Sequence, residues 1–192
     1  MSVTTKERIF EAAEGIMLAK SFHSVGLNEI LTAVKVPKGS FYHYFESKEK
    51  FGAELLAHYL DQHIARIRRV LLSSELSPLD RLLTLFEGMI SYSLQGECKQ
   101  SCLVAKLGSE VSSFSEEMRA VLAKGMGEWR GIYEQVVTEG QADGSIRSDL
   151  EAPLAAAFLQ DTWQGAMNRM HIERSIAPLH SAVGLFRRTL TP

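Results

Sequence analysis

The sequence predicts an all-α protein of about nine helices. Apolar residues recur three and four positions apart along almost the whole chain, which is the spacing of one face of an α-helix. No stretch alternates apolar and polar residues convincingly enough to indicate a strand. Segments rich in glycine, serine and proline divide the helical pattern into nine parts. The 192 residues suffice for one domain, or for a small domain joined to a larger one.

Four helices are predicted in the first part of the chain. They span residues 4–20, 27–34, about 38–44 and about 48–72. In the first helix, Ile9, Ala13 and Ile16 share one face. The second helix ends before Pro37, because proline disfavours helical backbone at the residue that precedes it. The fourth helix carries an apolar stripe formed by Leu56, Leu60, Ile64, Ile67 and Leu71.

Five more helices are predicted after the segment SSELSP. They span residues 78–95, about 101–112, about 115–140, 150–173 and 177–190. The loop GQADGSIRSD separates the seventh helix from the eighth, because its glycines and its Ser-Asp pair favour turns.

The charge of the chain is unevenly distributed. The formal net charge is only −2, but residues 1–69 hold 10 basic against 8 acidic residues, and residues 70–192 hold 11 against 15. This asymmetry has the sign expected of an N-terminal part that binds a polyanion.

Neither a secretory signal nor a membrane span is predicted. The start, MSVTTKERIFEAAEG, lacks the apolar core of a signal peptide. No run approaches the roughly 18 apolar residues of a membrane span. The only cysteines are Cys98 and Cys102, so we expect a cytoplasmic protein whose thiols are reduced.

The stretch PKGSFYHYFESKEKF, residues 37–51, combines aromatic and polar residues in one short helix. Two short helices joined by a tight turn indicate a helix-turn-helix motif, whose second helix enters the major groove of DNA. We expect Phe41 and Phe45, four residues apart, to point into the protein core.

The polar residues of this stretch are the candidate DNA contacts. Lysine side chains suit phosphates, and hydroxyl, phenol and imidazole groups reach phosphates or base edges. A glycine lets the backbone approach the duplex closely. The candidates are Lys38, Gly39, Ser40, Tyr42, His43 and Lys48, and Tyr44 either joins them or packs partly in the core.

The segment VPKGSFYHYFESKEKFGAELL resembles the DNA-binding region of the TetR family of one-component repressors, and the match covers about residues 6–56. The resemblance implies a homodimer that is released from a pseudo-palindromic double-stranded DNA operator by a small-molecule effector. It implies a DNA-binding domain over residues 1–47 and an effector-binding and dimerisation domain over residues 48–192. It carries over the DNA contacts named above and adds Asn28.

The last two helices carry the apolar pattern expected of a dimer interface. Steps of three and four residues separate Ile176, Leu179, Val183, Phe186 and Leu190, as in an a/d seam. In the eighth helix, Leu159 and Trp163 lie on an apolar stripe, and the small or short residues Ala157, Asp161 and Gly165 lie on another face. We expect the seam, Leu159 and Trp163 to form a four-helix interface between two subunits. The alternative is that both faces pack in the core of one chain.

Cys102 is the candidate sensor. It is expected in the first turn of the sixth helix, with Lys106 four residues later on the same face. A helix N-terminus and a nearby ammonium both favour the thiolate, which is the form that electrophiles and oxidants attack. The alternative is a structural cysteine, since free cysteines are often buried.

Two segments, CLVAKLGSEV and WQGAMNRMHIERSIAPL, resemble the NemR-type subgroup of the family. Members of that subgroup sense reactive electrophiles, quinones and chlorine oxidants, so the resemblance implies that Cys102 is the reactive thiol. His171 stands where the subgroup carries a lysine tied to oxidant sensing.

A non-covalent effector would instead occupy the core of the bundle, where methionine and aromatic residues suit an adaptable apolar cavity. The same pattern is also typical of an ordinary core. The candidate lining residues are Phe86, Met89, Ile90, Trp129, Tyr133, Phe158, Trp163 and Met167.

No metal site, cofactor or catalytic site is predicted. The two cysteines have no histidine nearby in the sequence, and we find no nucleophile–base pair and no glycine-rich phosphate loop. A helical interaction module without specific DNA binding is the remaining alternative. The sequence does not separate a repressor from an activator.

Overall fold

The computed structural model describes residues 4–72, 75–96 and 102–192, and these residues form no strand. Their nine helices are α1 (Thr5–Ala19), α2 (Leu27–Ala33), α3 (Lys38–Tyr44), α4 (Lys48–Leu71), α5 (Pro78–Gln95), α6 (Leu103–Ser112), α7 (Glu116–Asp143), α8 (Ala152–Glu173) and α9 (Ala177–Leu190). The predicted all-α fold class is confirmed for this part of the chain. None of these helices is long and apolar enough to cross a membrane.

The end of α7 differs most from the prediction. The helix passes through Gly140 and ends at Asp143, and the chain then turns at Gly144, where φ is +81°. A glycine in the left-handed region is a common way to end a helix. The amide of Ile146 donates a 2.9 Å hydrogen bond to the carbonyl of Gly140. The loop therefore folds back over the last turn of α7 instead of beginning at Gly140.

The chain forms two compact units. The N-terminal unit comprises the described residues of 1–62 and 101–125, and the C-terminal unit comprises those of 63–100 and 126–192. Besides α1 to α3, the N-terminal unit contains the first part of α4, all of α6 and the first part of α7. The domain boundary after residue 47 therefore lies inside this unit, and it stays a prediction about where the DNA-binding part ends.

Aromatic side chains from three helices and a turn form the core beneath the helix-turn-helix motif. The ring centroid of Phe45 lies 5.5 Å from that of Phe10, 5.0 Å from that of Phe41 and 4.9 Å from that of Phe51. Phe41 and Phe45 are both buried, as expected from their spacing. The capping box between Thr4 and Glu7 fixes the start of α1.

The turn between α2 and α3 is tight. Lys35 adopts a left-handed backbone conformation with φ of 57°, and the amide of Val36 donates a 2.9 Å hydrogen bond to the carbonyl of Leu31. Pro37 then caps α3 with φ of −60°, a value that the proline ring favours. The turn fixes the direction of α3 relative to α2.

The core of the C-terminal unit is centred on Phe86 of α5. Its ring centroid lies 4.8 Å from those of Trp163 on α8 and Phe186 on α9, and 5.7 Å from that of Tyr133 on α7. The buried Arg81 joins these helices at one end, since its guanidinium pairs with Glu139 at 2.7 Å. Four helices therefore pack around one aromatic residue.

Candidate DNA-binding surface and effector sites

The helix α3 presents a polar and aromatic face to solvent. Tyr42 is 60% exposed and Tyr44 is 39% exposed. Lys38, Gly39 and His43 are also exposed, and Ser40 is half-buried. Since Phe41 on the same helix is buried, the burial pattern separates a core face from an outward face. The predicted contacts of α3 share this outward face, and Tyr44 is less fully exposed than Tyr42.

Asn28 lies on the exposed surface of α2, in the first turn of that helix. It belongs to the same helix-turn-helix motif as α3. Its contact with DNA stays a prediction.

Lys48, at the start of α4, is half-buried and lies against the loop between α1 and α2. Its ammonium donates a 2.7 Å hydrogen bond to the carbonyl of Val25, and it lies 5.0 Å from the ring centroid of Phe22. Burial lowers the pKa of Lys48. The side chain therefore ties α4 to the α1–α2 loop, and its contact with a phosphate stays a prediction.

Cys102 is the N-cap residue of α6, one position before the first turn in which the sequence predicted it. It is half-buried, and the hydroxyl of Tyr59 on α4 donates a 3.5 Å hydrogen bond to its Sγ. The amide of Leu103 donates a 3.3 Å hydrogen bond to the same hydroxyl. Burial raises the pKa of Tyr59, and the neighbouring Cys102 raises it further. The phenol therefore stays protonated and can serve as a donor to sulfur.

Two side chains of α6 after Cys102 bind the end of α1 and the loop that follows it. The ammonium of Lys106 donates a hydrogen bond to the carbonyl of Leu18, at the end of α1. The carboxylate of Glu110 accepts hydrogen bonds of 3.1 Å from the amides of Phe22 and His23. Burial works to raise the pKa of Glu110, but the hydrogen bonds from His23 and Phe22 outweigh it, so that this pKa is lowered. The sequence predicted that Lys106 acts on Cys102, whereas its ammonium is directed at α1.

The candidate pocket residues all lie in the C-terminal unit, and ring contacts connect several of them. The ring centroid of Tyr133 lies 5.7 Å from that of Phe86 and 6.3 Å from that of Trp129. Of the eight, Phe86, Ile90, Trp129, Tyr133 and Trp163 are buried, and Met89, Phe158 and Met167 are half-buried. Their role in binding an effector stays a prediction.

The predicted dimer residues require a correction. Leu159, Trp163, Leu179, Val183, Phe186 and Leu190 are buried within one chain, and Ile176 is half-buried. These side chains already fill the core of the C-terminal unit, because α8 and α9 pack against α5 and each other there. These buried side chains leave little surface for a second chain, and the dimer interface stays a prediction. Gly165, on the small-residue face of α8, is exposed.

Comparison with known proteins identifies the family. Residues 9–55 match the family model of bacterial regulatory proteins, tetR family, and residues 78–186 match the tetracyclin repressor-like C-terminal domain. The chain belongs to the TetR family. It is a DNA-binding transcriptional regulator of that type, and the resemblance seen in its sequence is confirmed.

Two relatives of this TetR-family chain are named as repressors. It is 34% identical to the HTH-type transcriptional repressor DhaR of Mycobacterium sp. (strain GP1), over 97% of this chain and 92% of that one. It is 33% identical to the HTH-type transcriptional repressor NemR of Escherichia coli (strain K12), over 93% and 90%. The crystal structure of the reduced form of E. coli NemR has a TM-score of 0.91, with 33% identity over 98% of this chain and 99% of that one.

Two residues of the TetR-type N-terminal unit were missed by the sequence reasoning. Tyr59 lies 43 positions before Cys102, and Glu110 lies 87 positions after His23. Tyr59 shares one face of α4 with the apolar stripe, which hid its polar role. No local pattern indicates which distant group a hydroxyl or a carboxylate will contact. Cys98 lies outside the described residues.

Proposed function

We propose that this protein is a cytoplasmic transcriptional repressor that binds operator DNA as a homodimer and is released when a small electrophile modifies Cys102. The observation that carries the proposal is the exposed face of α3. Lys38, Tyr42 and His43 lie on this face, and the other face of the helix is buried. A polar, aromatic helix held on an apolar core is the arrangement that a major-groove reader needs.

The exposed groups divide into two roles. Lys38 neutralises a phosphate, which contributes sequence-independent affinity and makes binding salt-dependent. Tyr42 and His43 reach base edges or thymine methyl groups, and these contacts contribute specificity. Asn28 contacts the DNA backbone from α2.

The homodimer forms through the outward faces of α8 and α9. Among the described residues, the two most exposed large apolar side chains are Leu154 and Ile172, at 65% and 73%, and both lie on α8. On α9, Leu185 and Gly184 are exposed. Apolar and small residues on two neighbouring helices suit a close, symmetric four-helix interface. Such a dimer would place two α3 helices on two half-sites.

The chemistry at Cys102 is conjugate addition. The hydrogen bond from the Tyr59 hydroxyl places a donor beside the reacting Sγ. The sulfur forms a bond to the β-carbon of a quinone or maleimide. In a maleimide the proton lost from the thiol ends on the carbon next to the carbonyl, and in a quinone the adduct becomes a hydroquinone whose two protons are on oxygen. No group leaves, and no further oxidant is needed.

The helix α6 transmits the modification to the DNA-binding motif. An adduct on Sγ displaces the hydroxyl of Tyr59, which reaches from α4 to the start of α6. Lys106 in the first turn and Glu110 in the last turn of the same helix contact the end of α1 and the α1–α2 loop. A shift of α6 therefore changes the position of α2 and α3, and a coupling of roughly 1–3 kcal/mol would weaken DNA binding about 5–150-fold.

The experiment measures binding of the purified protein to the DNA upstream of its own gene at fixed salt, before and after treatment with N-ethylmaleimide. We expect the wild type to bind and the treated protein to be released. Cys102→Ser should bind and stay bound, and Cys98→Ser should behave as the wild type. Tyr59→Phe keeps the ring and removes the donor, so its rate of maleimide addition should fall.

Two results would contradict parts of this proposal. If Cys102→Ser is still released by maleimide, or if Cys98→Ser is not, the reacting thiol is not Cys102. If no variant binds this DNA and salt has no effect, the chain is an interaction module rather than a specific repressor.

A further inference from the structure

The turn between α2 and α3 holds a lysine in a backbone conformation that favours glycine. Lys35 has a φ of 57°, and among the described residues only Lys35 and Arg174 combine a positive φ with a side chain. In the left-handed region the Cβ of an L-residue crowds the next carbonyl oxygen, whereas glycine adopts this conformation without strain. Strain of this kind is found mainly at functional sites, which makes Lys35 a candidate for a role in function.

Hydrogen bonds on both sides of Lys35 hold the turn in this conformation. The amide of Val36 donates a 2.9 Å hydrogen bond to the carbonyl of Leu31. From α1, the guanidinium of Arg8 donates a 2.8 Å hydrogen bond to the carbonyl of Val34. The backbone before and after Lys35 is therefore fixed, and so is the direction in which its side chain leaves the turn.

The turn also carries two positive charges that no carboxylate neutralises. Lys35 and Lys38 are exposed, and their ammonium groups have no hydrogen-bond or ion-pair partner in the part of the chain that the structure describes. Other lysines of the N-terminal unit have a carboxylate or a backbone carbonyl as partner. They are Lys6 with Glu54, Lys20 with Glu29, Lys50 with Glu117, Lys48 with the carbonyl of Val25, and Lys106 with the carbonyl of Leu18.

We propose that Lys35 binds a phosphate of the DNA backbone, beside the phosphate that Lys38 contacts from the first residue of α3. A lysine suits this position because its flexible stem carries a point charge to the phosphate without requiring a fixed geometry. The contact adds affinity for any DNA sequence and helps to place α3 in the groove. The strained lysine therefore makes the fold less stable than glycine would, and it makes DNA binding tighter.

The test is Lys35→Gly, for which the proposal predicts opposite changes in stability and affinity. The midpoint of thermal unfolding should rise by about 1–4 °C, because glycine adopts the left-handed conformation freely. Affinity for DNA should fall about 3–10-fold for each lysine lost from the interface, and the slope of log affinity against log salt should become shallower by about 0.9. A merely structural residue would leave the salt slope unchanged.

Affinity is measured by fluorescence anisotropy between about 50 and 200 mM salt, on two duplexes of equal length. One duplex comes from the DNA upstream of the protein's own gene, and the other has an unrelated sequence. A phosphate contact carries no sequence information, so Lys35→Gly should weaken binding to both duplexes equally. If the wild type does not prefer the upstream duplex, the operator proposed there is contradicted, and the salt slope on the unrelated duplex still tests Lys35.

Three further variants separate the charge from the backbone. Lys35→Arg keeps the charge and should keep the salt slope of the wild type. Lys35→Asn removes the charge with a residue that tolerates the left-handed region, so it should lose affinity as Lys35→Gly does. Arg174→Gly removes a positive charge and a positive φ of 51° at the end of α8, outside the helix-turn-helix motif. It should become more stable and keep the wild-type salt slope.

The proposal is overturned if Lys35→Gly binds the unrelated duplex with the affinity and the salt slope of the wild type. It is also overturned if Lys35→Asn keeps the wild-type slope while Lys35→Gly does not, because the flexibility of glycine then explains the loss. A Lys35→Gly protein that is less stable than the wild type would contradict the strain at Lys35. The salt slopes of Lys35→Arg and Lys35→Asn would then decide whether the phosphate contact exists.

Discussion

At the scale of single residues, the half-buried His63 makes stability depend on pH. Its pKa is lowered to about 4 in the folded chain, whereas an unfolded histidine titrates near 6.5. Between these values the unfolded state binds a proton that the folded state does not. The stability that the neutral imidazole contributes at pH 7 is therefore lost as the pH falls from about 6.5 toward 4.

We predict that His63→Gln reduces the difference in the free energy of unfolding between pH 7 and pH 5 by about 1–2 kcal/mol. Urea denaturation at the two pH values measures it. His180→Gln serves as the control, because His180 is exposed on α9. If the free energy of unfolding changes equally between pH 7 and pH 5 in the His63 variant and the wild type, a group other than His63 causes the pH dependence.

The sequence was enough to predict which residues of the motif point outward and which point into the core. It was not enough to predict which distant groups they contact. The outward set on α3 and the inward Phe41 followed from helical spacing, which is local. The ammonium of Lys48 was predicted to contact DNA because lysine suits phosphates, and in the folded chain it donates a hydrogen bond to the carbonyl of Val25. That contact joins residues 23 positions apart, and only the packing of α4 against the α1–α2 loop creates it.

At the scale of elements, α4 passes unusually close to its neighbours at Gly52. A Cβ added there would lie 2.6 Å from Cε2 of Phe22 and 2.7 Å from Sδ of Met118. A Gly-to-Ala change within a helix normally stabilises it by up to about 1 kcal/mol, but overpacking costs about 1–3 kcal/mol. We predict that Gly52→Ala lowers the free energy of unfolding by about 1–2 kcal/mol in chemical denaturation.

The control for this prediction is Gly15→Ala in α1, where an added Cβ meets nothing within 4 Å. That variant should be more stable than the wild type by about 0.5–1 kcal/mol. If both variants are stabilised, α4 has room for a Cβ at Gly52, and the prediction of overpacking against Phe22 and Met118 is contradicted.

The end of α8 stores backbone strain at Arg174. This residue caps the helix in the left-handed region, with φ of 51° and ψ of 41°. A non-glycine residue there costs about 1–2 kcal/mol, and glycine loses part of that gain to its greater freedom when unfolded. We predict that Arg174→Gly raises the free energy of unfolding by about 0.5–1 kcal/mol, measured by the midpoint of thermal unfolding.

The control is Arg130→Gly, at an exposed position within α7 where the backbone is helical. Glycine in a helix interior should lower stability by about 1 kcal/mol. Equal effects of the two substitutions would mean that the conformation of Arg174 is not strained.

The positions of the helices could be predicted from the sequence because capping and periodicity are local. The sequence did not show which face of α8 is exposed. The helix carries an apolar stripe through Leu159 and Trp163 and a second face through Gly165. Either face suits a partner helix, and the pattern does not state which one the chain uses for its own core. Only the packing of α5 and α9 against the stripe decides it, so most of the residues predicted for the dimer interface are ones that the chain buries in its own core.

At the scale of the whole molecule, the proposed dimer would cover apolar side chains that one chain leaves exposed. Leu154 and Ile172 remain exposed on α8, and Leu185 remains exposed on α9. Two half-sites bound by one dimer increase operator affinity through effective concentration, by about 10²–10⁴-fold over a single head. Dimerisation and DNA affinity should therefore be lost together.

We predict that Gly184→Arg on α9 makes the protein monomeric. A Cβ at Gly184 meets nothing within 4 Å in the single chain, and arginine has a higher helix propensity than glycine, so the monomer should stay folded. A charge in the middle of the proposed interface would be buried without a partner in the dimer. Light scattering after gel filtration gives the mass, and operator affinity should fall about 100-fold or more.

The matched control is Gly88→Arg on α5, where an added Cβ also meets nothing within 4 Å. This variant introduces the same charge at another exposed helical position and should remain a dimer with wild-type affinity for the operator. A dimeric Gly184→Arg protein would exclude α9 from the interface. A monomeric Gly88→Arg protein would move the interface to α5, because the two substitutions differ only in the surface that carries the charge.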